Sequence, residues 1–82
     1  MKNKESTLLN ITARSPKQFG HALKRHRLKI GLTQQELSEK SGVRQANISK
    51  LENDSAGVKL ETIFKILLAL DLETTLRRRQ KS

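Results

Sequence analysis

Cysteine is missing from this chain, and so are tryptophan and tyrosine. Without thiols there is neither a disulfide framework nor a thiolate metal site to brace a small fold, and a reducing cytoplasm is the expected setting. Phe19 and Phe64 are the whole aromatic complement, too few for the row of stacked rings on which single-strand binders seat unpaired bases. No apolar run in the sequence approaches the roughly 18 residues of a membrane span, and the N-terminus lacks the apolar core of a secretory signal. No membrane-spanning segment is expected. Acidic residues are also scarce, 8 against 17 lysines and arginines, which leaves a net charge of +9. A field of that sign attracts polyanions and makes nucleic acid the default partner, although an acidic protein or membrane surface answers to the same charge.

Catalytic chemistry has little to work with. His21 and His26 are the only histidines. Neither has a cysteine or an evident carboxylate partner, so no metal site or acid–base pair is indicated. No glycine-rich loop leads into Lys-Ser or Lys-Thr, so nucleotide binding has no support. No enzyme activity, cofactor or metal is expected. A chain of 82 residues forms one small domain that buries only about 60% of its unfolded surface. Self-association is the remaining source of added stability.

Residues 1–14 are polar and uncapped, and read as an arm of uncertain order. The body starts at Ser15-Pro16-Lys17-Gln18, which supplies an N-cap hydroxyl, a proline at the first helical position and a glutamine at N3. A helix is predicted from Pro16 to Ile30, with Phe19, Ala22, Leu23, His26 and Ile30 on one side and Lys17, His21, Lys24, Arg25 and Lys29 on the other. Leu28 falls on the basic side, which marks it as a singly exposed leucine or a contact with something outside the domain. Gly31 ends the helix.

Thr33-Gln34-Gln35-Glu36 is a second capping box, and opens a short helix to about Lys40 with Leu37 inward. Ser41-Gly42-Val43 forms a tight turn. A third helix over Gln45 to Glu52 sends Ile48 and Leu51 one way and Gln45, Ala46, Ser49, Lys50 and Asn53 the other. That outer face carries a carboxamide, a methyl, a hydroxyl and an ammonium, the groups that meet base edges and phosphates in a major groove. An ordinary solvated face has the same composition.

After a polar loop from Asn53 to Lys59, Leu60 to Leu70 reads as a fourth helix whose apolar residues spread over an arc of about 200°, wider than one buried face requires. Part of that width is expected to meet another protein surface, with Ile66 and Leu70 as dimer contacts. Leu72-Glu73-Thr74-Thr75-Leu76-Arg77 alternates in apolarity and reads as a strand. Leu72, Thr74 and Leu76 would then pair with the same segment of a second chain and satisfy its backbone groups. Arg77 to Ser82 reads as a solvated basic tail. The expected division is an arm over 1–14, a DNA-binding domain over 15–71 and a dimerisation segment over 72–82.

The run from Leu32 to Asn53, with its Thr33-Gln34-Gln35-Glu36-Leu37 opening and its Gln45-Ala46-Asn47-Ile48-Ser49-Lys50-Leu51-Glu52-Asn53 close, resembles the phage-repressor-like, Cro/C1-type (XRE) helix-turn-helix family. The resemblance spans about Ser15 to Leu70. It implies an all-α domain of four or five helices whose third helix enters the major groove, in dimers that read half-sites roughly 34 Å apart. Ser15-Pro16-Lys17-Gln18, Leu60-Glu61-Thr62-Ile63-Phe64-Lys65-Ile66-Leu67 and the strand-like Leu72 to Leu76 are more narrowly similar to HipB-type antitoxins. That likeness implies a homodimer that represses its own operon, binds double-stranded operator DNA and holds a HipA-like serine/threonine kinase toxin.

Carried over residue by residue, the resemblance puts Gln45, Ala46, Asn47, Ser49 and Lys50 at base-reading positions. It puts Thr33, Gln34, Arg44, Asn53 and Lys59 at phosphate contacts. Arg44 departs from the Ser or Thr that many relatives use as N-cap. Arg27 and Glu52 resemble an interhelical ion pair. The competing readings are a stand-alone repressor without a toxin and an adaptor that reuses the fold without binding DNA.

Overall fold

The structure is a computed structural model that describes residues 11–79. Most of the expected arm and the last residues of the basic tail lie outside the described residues. Among these residues four helices follow one another: α1 (Pro16–Lys29), α2 (Gln34–Ser41), α3 (Gln45–Asn53) and α4 (Leu60–Ala69).

Local chemistry sets the boundaries of α1 and α2. Ser15 caps α1 by accepting from the Gln18 amide at 3.0 Å, with Pro16 in the first turn. At its other end the Leu32 amide reaches back to Arg27 O at 3.1 Å and the Gly31 amide to Leu28 O at 3.1 Å. This closure needs a left-handed residue, which Gly31 supplies at φ 82°. The Thr33 capping box forms in both directions, Glu36 N to Thr33 Oγ1 at 3.0 Å and Thr33 N to Glu36 Oε1 at 2.9 Å. The turn between α2 and α3 is pinned by Ser38, whose hydroxyl donates to Val43 O at 2.6 Å, and by Ser41, whose hydroxyl accepts from Val43 N at 3.1 Å.

One core joins the helices: Leu23 of α1, Leu37 of α2, Val43 of the turn, Ile48 and Leu51 of α3, and Ile66, Leu67 and Leu70 around α4. α3 packs between α1 and α2, so its orientation is set from both sides. The contact with α1 is unusually close at Gly20, where a methyl group would run into the carbonyl oxygen of Leu51. Ser55, buried in the loop after α3, ties that loop to the start of α1 by donating its hydroxyl to Pro16 O at 2.8 Å and its amide to the same oxygen at 3.1 Å.

One expectation is corrected here, and a second has no counterpart in the single chain. Ile66 and Leu70, expected at a dimer surface, are buried in the chain's own core. The broad apolar arc of α4 divides instead, with Ile66, Leu67 and Leu70 inward and Leu60, Phe64 and Leu68 outward, at 66%, 48% and 81% exposure. The strand expected from Leu72 is also not seen, because residues 72–79 take no regular secondary structure in the single chain. Leu72 packs against the core, while Thr74 and Leu76 are exposed. A ladder needs a second strand, and within one described chain none lies beside this segment.

Candidate nucleic-acid interface

The outward face of α3 is built by its position in the chain. Ile48, Leu51 and Glu52 face the protein, which leaves Gln45, Ala46, Asn47, Ser49, Lys50 and Asn53 exposed along one protruding surface. Arg44 is the N-cap of this helix, and its exposed guanidinium has no acceptor with which to cap it. Thr33 and Gln34 open α2 beside it, and Lys59 precedes α4, exposed.

Behind the face lies a buried ion pair. Arg27 of α1 and Glu52 of α3 are 5% and 3% exposed, and meet in a bidentate arrangement. Nε donates to Glu52 Oε2 at 2.6 Å and Nη2 to Glu52 Oε1 at 3.0 Å. The remaining guanidinium nitrogen donates to Leu32 O at 2.6 Å, which binds the pair to the α1–α2 connection. Fork geometry of this kind fixes direction as well as distance.

The pair extends outward. Gln34 Nε2 donates to Glu52 Oε1 at 3.0 Å, and Gln45 Nε2 donates to Gln34 Oε1 at 3.4 Å. Because an ionised carboxylate only accepts, Gln34 must turn its NH2 toward Glu52 and its oxygen toward Gln45. Gln45 then keeps one N–H and its carbonyl oxygen for whatever lies outside. Arg27, Glu52, Gln34 and Gln45 therefore form one chain of hydrogen bonds from core to surface. Gln34 sits within this chain as well as beside the exposed α3 face, a double role that its expected phosphate contact did not include.

Two further residues shape the site without having been singled out. Gly20 permits the close seating of α3; a glycine inside a helical pattern is the available signal for such packing. Ser55 holds the end of α3 against α1, and nothing in its polar loop context distinguishes it.

Residues 23–76 match the helix-turn-helix family. Over 62 residues, 76% of this chain, the sequence is 47% identical to the Antitoxin HipB of Escherichia coli strain K12 and to that of Escherichia coli O6:H1 strain CFT073. The chain belongs to the helix-turn-helix family, in its HipB-like branch. The aligned segment spans 70% and 66% of those two relatives. Among solved structures, a HipB variant in complex with an O2 20mer superposes with a TM-score of 0.82 at 40% identity, covering 88% of this HipB-like chain and 100% of the other. HipB in a HipA-HipB-O2-O3 complex gives 0.80 at 42% identity, covering 84% and 97%. No helix of the described HipB-like chain is long and apolar enough to cross a membrane.

Proposed function

We propose that this chain is a sequence-specific repressor that binds double-stranded operator DNA as a homodimer in the cytoplasm, and that it is the antitoxin of a HipA-like serine/threonine kinase toxin. The observation that carries the DNA-binding part is the exposed α3 face whose leading carboxamide is held in one orientation by the Arg27–Glu52–Gln34 chain. An outward N–H beside an outward carbonyl oxygen matches N7 and N6 of adenine in the major groove. Ala46 offers a methyl to thymine; Ser49, Asn47 and Lys50 supply the remaining polar contacts, and Thr33, Gln34, Arg44, Asn53 and Lys59 hold the phosphate backbone. The antitoxin part is supported by the HipB relatives, one of them in complex with HipA. Residues 15–71 are then the DNA-binding unit and 72–82 the dimerisation segment.

The test is fluorescence anisotropy with the promoter of the chain's own operon and with scrambled duplex, across a salt series. Gln45→Ala weakens the cognate site by about 1–3 kcal/mol and leaves scrambled DNA bound as before. Equal losses on both duplexes would remove the base-reading role.

A further inference from the structure

One line of side chains on α1 takes no part in this function. Gln18, His21, Arg25 and Leu28 follow at spacings of three, four and three residues, which stacks them along one edge of α1, and Arg14, two residues before the helix, sits beside Gln18 at the head of this line. All are exposed. Gln18 is tied back to the start of the line by the Arg14 amide, which donates to its Oε1 at 2.7 Å. With Thr12, the four polar members line a surface cleft of about 350 Å³. No aspartate or glutamate occurs anywhere in α1, and among the described residues the carboxylate that meets this helix, Glu52, is held by Arg27.

The line lies opposite Leu23 on the helix wheel and is turned away from Gly20 and Arg27, the positions through which α1 meets α3. The edge is therefore separate from the contact by which α1 supports α3. The line also ends in Leu28, 57% exposed. A phosphate backbone gives nothing to a leucine, whereas a protein surface can match a cationic row and an apolar end together.

We propose that the Arg14–Leu28 edge of α1 is a docking surface for a partner protein presenting carboxylates beside an apolar seat, and that this partner is the kinase-type toxin of the reading above, on which the proposal rests. Calorimetric titration of the full chain with the HipA-type kinase of its own operon tests it. The variants are Arg14→Gln/Arg25→Gln and, separately, Leu28→Asp, all at exposed positions where melting curves should match the parent. The expected result is kinase binding weakened about tenfold or more by each variant, with the dependence of operator affinity on salt unchanged. Kinase binding at parental strength in both variants overturns the proposal. So does a shallower salt slope, by about two charges for the double variant, with the kinase still bound, which would make the edge a phosphate contact. Loss of self-association in sedimentation overturns it as well, by assigning the edge to a second copy of the chain. If the unsubstituted chain itself fails to bind the kinase, the antitoxin reading falls and takes this surface with it, an outcome distinct from failure of the variants alone.

Discussion

At Arg27 and Glu52 the chain commits two charges to an interior that hydrophobic side chains would fill at lower desolvation cost. Arg27→Met leaves the Glu52 carboxylate buried without its partner, and urea unfolding should show a loss of about 3–5 kcal/mol. Arg27→Met/Glu52→Leu removes both charges and should recover much of that stability. It also frees Gln34 to rotate, so discrimination between cognate and scrambled duplex should stay impaired while the melting temperature returns. Recovery of both together would mean that the pair only holds the helices. Gly20 makes a separate demand. Gly20→Ala drives a methyl group against Leu51 O, and the forced shift of α1 from α3 should cost about 1–3 kcal/mol, readable by chemical denaturation.

Among the elements, α1 and α4 end in the same way with different residues. The Leu72 amide returns to Leu67 O at 2.8 Å and the Asp71 amide to Leu68 O at 3.1 Å, as Leu32 and Gly31 do at the end of α1. Here the left-handed position is held by Asp71 at φ 60°. Such a conformation costs an L-residue about 1–2 kcal/mol, and glycine gives back about 0.5–1 kcal/mol through the freedom it adds to the unfolded chain. Asp71→Gly should therefore raise stability by roughly 0.5 kcal/mol, visible as a small rise in Tm. The caps at Ser15 and Thr33 and the stop at Gly31 were legible because capping depends on neighbours three or four residues away. Asp71 was not, because aspartate, although it enters that conformation more readily than most residues, occurs far more often outside it; here its neighbours Leu70 and Leu72 pack on the core.

For the whole molecule, the outer stripe of α4 is the surface that a small chain is least able to leave in water. Leu60, Phe64 and Leu68 recur every four residues and stand exposed in the single chain, so a second copy is the natural cover. Leu68→Glu should shift the chain toward monomer in sedimentation velocity and weaken operator binding with it, since two half-sites are then read separately. Removal of residues 72–82 should act in the same direction. A truncated chain that stays fully dimeric would confine the interface to α4. The width of this apolar arc was readable as a sign of association, but its division between core and surface was not.

Periodicity, caps and charge sign are properties of neighbouring residues, and they were enough to place four helices, the turn before Gln45 and an outward polar face on α3. Which apolar residues of α4 point inward depends on how α2 approaches it, a contact between segments distant in sequence. The route from Arg27 through Glu52 and Gln34 to Gln45 likewise joins three helices, and its hydrogen-bond directions exist only once those helices are packed. Local free energies act within a few residues and leave their mark in composition; the geometry that gives Gln45 one outward donor and one outward acceptor arises from long-range packing.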